Sequence, residues 1–138
     1  MTLDRASGDE LLTEARRALL ESVLPALPAH LRYQGLMIAN AMAIGVREWA
    51  EGDGAVAAVL LELAGLYPDA PMAASAESPA AALSSLEQRL ARDIRAGVFD
   101  GLGLARERLR QALRAMTIAR LRLSNPKILT DRERGKKR

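Results

Sequence analysis

Four polar side chains inside one apolar stretch are the first candidates for chemistry: Tyr33, Asn40, Arg47 and Glu48. Together they offer a carboxylate for proton transfer, a guanidinium for an anion, and two neutral hydrogen-bonding groups, a set that would suit a small acyl substrate. Glu48 would need a second acid or a base within reach, and nothing in the sequence supplies one, so no reaction type follows. Adjacent residues on a helix point about 100° apart, so Arg47 and Glu48 should each pair across helices rather than with one another. Trp49, which follows them, is expected to cap the core. Asn40 is the most informative of the four. An amide buried in an apolar helix finds partners or costs about 1–3 kcal/mol, so it is expected to bond a neighbouring helix or loop carbonyl and fix register. A ligand or partner contact is the alternative. His30 and Tyr33, one turn apart and next to Arg32, could line a shallow pocket, although a single histidine at a helix start is more simply solvated.

A second set is Arg106, Arg110 and Arg114, spaced by four and flanked by Arg108, Arg120 and Arg122. Such a ridge could follow a nucleic-acid backbone or hold a phosphate. No aromatic residue is interleaved, and no helix-turn-helix, zinc finger or phosphate loop accompanies it, so a solvated face paired with acids such as Glu107 is favoured. Gly101-Leu102-Gly103-Leu104 is too short for a dinucleotide fingerprint and follows no strand. The absence of cysteine and the single histidine leave no Cys or His set for a metal. No cofactor and no catalytic residue is assigned.

The elements that must position these residues are helices. Ser7-Gly8-Asp9-Glu10 has the form of a capping box, and the apolar face Leu11, Leu12, Ala15, Ala18, Leu19, Ser22 and Val23 predicts a helix over 8–24, stopped by Pro25 and Pro28. A second helix over 29–51 is apolar around most of its circumference and belongs in the middle of the fold. Gly52-Asp53-Gly54 reads as a turn, followed by a short helix over 55–66 and one long loop over 67–79. Ser78-Pro79 opens a fourth helix with the stripe Leu83, Leu86, Leu90 and Ile94, closed by Gly97. A fifth, over 101–124, carries Leu102, Ala105, Leu109, Ala112, Met116, Ala119 and Leu123 at alternating steps of three and four, a packing seam. Asn125-Pro126 ends it. The expectation is an all-α, compact single-domain bundle of about five mostly antiparallel helices over 1–130, with a basic disordered tail over 131–138.

Composition agrees. The 138 residues include 26 Ala and 23 Leu, with aromatics at 3%, which favours helix and removes the usual stock for strands. This length suits one core burying roughly 68% of the unfolded surface. The net charge of +3 divides unevenly: residues 1–105 carry 8 basic and 14 acidic side chains, a balance of −6, and residues 106–138 carry 12 and 3, a balance of +9. The start of the chain has no export pattern, and the longest apolar run, 35–46, is well short of the ~20 residues of a membrane span. A cytoplasmic protein without a membrane association is expected.

Several stretches stand out together: Val23-Leu24-Pro25-Ala26-Leu27, Leu31-Arg32-Tyr33-Gln34, Ile38-Ala39-Asn40-Ala41-Met42-Ala43-Ile44, Arg47-Glu48, Ile94-Arg95-Ala96-Gly97-Val98-Phe99-Asp100 and Ala119-Arg120-Leu121-Arg122-Leu123-Ser124-Asn125-Pro126-Lys127. In this order, over residues 9–130, the chain resembles a family of small all-helical bacterial proteins of unknown function. Their genes tend to lie beside aminoglycoside-phosphotransferase-like kinases and acyl-CoA dehydrogenases. The resemblance implies no catalytic residues. It implies an accessory or partner of a phosphotransferase-like kinase in acyl or acyl-CoA metabolism; joined to the abundant apolar helix faces and the missing catalytic chemistry, it gives the expectation of a non-enzymatic protein that binds such a kinase or a second copy of itself. The alternative is a nucleic-acid or polyanion-binding module using the basic C-terminal helix and tail.

Overall fold

The structure, a computed structural model, describes residues 6–70 and 78–135, with side chains as far as Thr130. It is all-α: five α-helices and no strand occur among the described residues, in the order α1 (Gly8–Ala18), α2 (Ala29–Leu66), α3 (Pro79–Arg95), α4 (Leu104–Ser124) and α5 (Pro126–Gly135). The number of helices matches expectation through two compensating differences. Gly52-Asp53-Gly54 is not a turn but part of α2, which runs unbroken for 38 residues. Two glycines cost a helix about 1 kcal/mol each, and the Ala- and Leu-rich turns that follow offset this. At the other end, α5 continues to Gly135, into the stretch expected to be a disordered tail; residues 136–138 of that tail lie outside the described residues. Of the expected loop over 67–79, residues 71–77 also lie outside them.

The helix ends follow local chemistry. The Ser7 N–H donates to the Glu10 carboxylate at 2.9 Å, and the Ser7 hydroxyl donates to Asp9. Ser78 accepts from the Ala81 N–H at 3.1 Å with Pro79 at the first helical position, as its sequence requires. The expected first helix is only partly α: after Ala18 the chain widens to a π turn at Leu19–Val23 and then tightens to a 3-10 turn at Leu24–Ala26, around Pro25. Proline lacks the N–H an α-helix would use there and crowds the carbonyl four residues back; the wider turn relieves both.

The contacts of the chain gather in two compact units, Met1–Gly52 and Asp53–Arg138, and the division falls inside α2. In the first unit, α1 and the first half of α2 approach through small residues. A Cβ placed on Gly35 would stand 2.8 Å from Leu24 Cδ1, one on Gly45 3.3 Å from Leu12 Cδ1, and one on Gly8 3.0 Å from the Trp49 ring. Arg16 Nε crosses the same junction to donate to the Ala39 carbonyl at 3.0 Å. The second unit holds a core of Val59, Leu63, Tyr67, Leu90, Phe99, Ala112 and Met116, with Leu83, Leu86, Leu109 and Ala119 packed against it. The stripes read for the third and fourth of these helices therefore face inward, except at their ends: Ile94 is half-exposed and Leu102, outside α4, is 94% exposed.

Candidate functional site

Tyr33, Asn40, Arg47 and Glu48 all lie on α2 in the first unit. Tyr33, Asn40 and Arg47 recur every seven residues, which keeps them on one face with a drift of about 20° per repeat. Gly35, Ala39 and Gly45, which meet α1 and the turns after it, occupy another face. The burial expected of Asn40 is not found: the amide is exposed, so it does not need a partner from a neighbouring helix. The reason is that the segment is not enclosed. Only Ala39, at 2%, is a buried hydrophobic of this stretch, while Leu36 and Met37 are half-exposed and Tyr33 is 74% exposed. Apolar composition on nearly all sides had suggested a central helix; in this unit α2 is covered on one side. Glu48 is exposed and Arg47 half-buried. Trp49 lays its ring on Gly8 at the start of α1 but remains 68% exposed, so it covers a helix end rather than a core.

The second set is divided by the structure. Arg106 and Arg110, one turn apart on α4, line a cleft of about 340 Å³ together with Ile94, Phe99, Asp100 and Leu109; Arg114 is not among its lining residues. The loop between α3 and α4 builds this cleft. Gly97 closes α3 with φ +75°, its N–H donating to the Ile94 carbonyl at 3.1 Å while the Val98 N–H donates to the Asp93 carbonyl at 3.0 Å, a Schellman pair that needs a left-handed residue. A Cβ on Gly97 would also stand 2.7 Å from an Asp100 carboxylate oxygen, so the absent side chain leaves room for that carboxylate. Gly103, at φ +132°, starts α4 in a conformation open to glycine alone. Of the ridge, Arg110 pairs with Glu107 at 3.5 Å, and Arg120, further along α4, pairs with Glu87 of α3 at 2.7 Å. Arg106 and Arg114 make no ion pair among the described residues.

A third group was not anticipated from sequence. The buried Tyr67, just past α2, donates its hydroxyl to Asp93 at 2.7 Å, and the Arg89 guanidinium lies 4.3 Å above its ring. Arg89 also pairs with Asp69 at 3.1 Å and approaches Asp93 at 3.8 Å. Burial, and then the bond to the Asp93 carboxylate, raise the Tyr67 hydroxyl well above the ordinary tyrosine range. The group ties the end of α2 to α3. Arg89 and Asp93 at i, i+4 were visible in the sequence, but Tyr67 stands in a stretch that reads as loop, so the third member could not be placed. A larger cleft of about 590 Å³, lined by Asp53, Val56, Ala57, Leu60, Leu61, Ser78, Pro79 and Ala80, is almost wholly apolar and has no pair of converging charges.

Among the described residues no cluster of three or more His, Asp or Glu side chains could hold a metal, and no helix is long and apolar enough to cross a membrane. No curated protein and no solved structure matches the chain. Residues 25–128 match one family, described as a domain of unknown function, DUF6285. The match begins at Pro25, so α1 lies outside it and the earlier start of the resemblance, at residue 9, is not covered. Because it spans the end of the 3-10 turn, α2, α3, α4 and the start of α5, with the cleft between α3 and α4 inside it, this chain belongs to the DUF6285 family.

Proposed function

We propose that the protein is a non-enzymatic, cytoplasmic accessory that binds a protein partner through the open face of α2. The observation that carries this reading is the exposure of Tyr33, Leu36 and Met37 along one side of that helix, with Asn40 among them. Covering a half-exposed leucine or methionine completely contributes roughly 1 kcal/mol, since full burial of such side chains is worth about 1.5–3 kcal/mol. A polar residue within an apolar stripe is the kind of group that sets register between paired helices. The phosphotransferase-like kinase implied by the family resemblance is the preferred partner, and work on an acyl or acyl-CoA substrate would belong to that kinase rather than to this chain.

The test is co-expression with a phosphotransferase-like kinase of the kind the family resemblance implies, followed by size-exclusion chromatography. Co-elution is expected for the native chain and its loss for L36D/M37D, with helical circular dichroism retained because both side chains are already half in water. Separate elution of the native pair at micromolar concentration would sink the reading.

A second reading is favoured by Arg106 and Arg114 lacking an ion pair among the described residues. A polyanion bound there would be released steeply by salt, whereas a complex held on the apolar face of α2 would not.

A further inference from the structure

We infer that the cleft between the end of α3 and the first turns of α4 binds a small carboxylate that carries an apolar tail. Its size, about 340 Å³, falls at the lower end of the roughly 300–1,000 Å³ usual for small-ligand sites. Its lining is divided in the way such a ligand requires. Phe99, 9% exposed and part of the core, gives a fixed apolar floor, and Leu109 and Ile94 extend it. Arg106 and Arg110 project from consecutive turns of α4 beside that floor, so two guanidiniums can share one headgroup.

The charges are available. Arg106 has no ion-pair partner among the described residues. The partner of Arg110, Glu107, is its neighbour three residues earlier at 3.5 Å, and both side chains are more than half exposed, an arrangement worth little in water and easily exchanged for a better anion. Asp100 is the one acid in the lining, and its carboxylate has no hydrogen-bond partner among the described residues. Within the lining two arginines face one acid, Asp100, and Glu107 stands beside Arg110 just outside it, so the local balance suits no more than the single charge of a carboxylate. A phosphate monoester, at about −1.5 to −2 near neutral pH, would be under-neutralised and repelled by Asp100. The frame is set before any ligand arrives, because Gly97 and its two carbonyl bonds hold the loop that carries Phe99 and Asp100. This site is on a different unit from the α2 face, so the two proposals stand or fall separately.

The experiment titrates octanoate, octanol and octyl phosphate, each below its micelle-forming concentration, into the full-length protein, followed by the backbone amide shifts of Phe99, Arg106 and Leu109. Saturable 1:1 binding of octanoate is expected, with octanol weaker by about tenfold or more, the loss that follows from removing a charge-assisted bond. R106Q should weaken octanoate by about tenfold and R106Q/R110Q by more, while R114Q, on the same ridge but outside the cleft, should leave it unchanged. All three arginines are exposed, so the helical circular dichroism of each variant should match the native protein. Equal affinity for octanol, tighter binding of octyl phosphate than of octanoate, an R114Q loss as large as that of R106Q, or absence of saturation would each overturn the inference.

Discussion

Tyr67 is where a single side chain has the clearest consequence for stability. Its hydroxyl is held protonated beyond the ordinary range by burial and by Asp93, so the folded chain keeps that proton more tightly than the unfolded chain does. The stabilisation is complete below the unfolded tyrosine value, about pH 10, and drains away as pH rises from there toward the raised native value. Y67F should cost about 1–2 kcal/mol at neutral pH, through the lost bond and a less well satisfied Asp93, and should flatten the alkaline slope; urea melts of both proteins near neutrality and above about pH 10 would show it. An equally steep alkaline slope in Y67F would place its origin elsewhere. How visible such positions are in sequence depends on whether their role is local. Ser78, Pro79 and Gly97 act on their own helix ends, so the sequence alone places them. Asn40 was read as buried because its neighbours in sequence are apolar, but burial is decided by what packs on a face, and that is a property of distant residues. The charge of Arg106 and Arg110 is legible in the sequence, whereas the floor beside it, Phe99, is set by the fold of the loop between α3 and α4.

Helix α2 shows the opposite limit of local reasoning. Gly52-Asp53-Gly54 has every mark of a turn, yet the helix continues through it, since propensities of about 1 kcal/mol per glycine are small against the hydrogen bonds and packing of a helix on either side. Neither glycine has another atom within 4 Å of where a Cβ would be, and neither has a positive φ. G52A and G54A should therefore each stabilise the protein by about 0.5–1 kcal/mol, read as a higher midpoint in thermal melts; a lower midpoint would mean that the segment must leave the helical conformation. The turn signal was nonetheless informative in another sense. It stands at the boundary between the two contact units, the place where α2 passes from one set of neighbours to another. The limits of α3 and α4, by contrast, are legible to within a few residues because Ser78, Pro79 and Gly97 bound α3, Asn125-Pro126 ends α4, and their stripes face a single core.

Across the whole molecule the buried apolar side chains are distributed unevenly. Val59, Leu63, Tyr67, Ala82, Leu90, Phe99, Ala112 and Met116 belong to the second unit, and Ala39 is the one buried hydrophobic of the first among the described residues. Cooperative opening follows buried apolar contacts, so native-state hydrogen exchange should be slowest in the last turns of α2 and in α3 and α4, and faster in α1. Equal protection in α1 would indicate that its surface is covered in solution, as a partner on the first unit would bring about. Composition could announce an all-α chain, since Ala and Leu favour helix wherever they fall. It could not announce this asymmetry, because the first half of α2 is as apolar as any segment of the chain and still leaves much of its surface uncovered.

The division of contacts inside α2 also bears on how this protein can change by recombination. Units that meet at a loop can be exchanged between genes with their ends intact. Here a cut at Gly52 falls inside a helix, so a unit taken without the other half of α2 would end in backbone N–H or C=O groups without their helical partners. Neither unit can therefore be excised at this boundary without leaving a broken helix end.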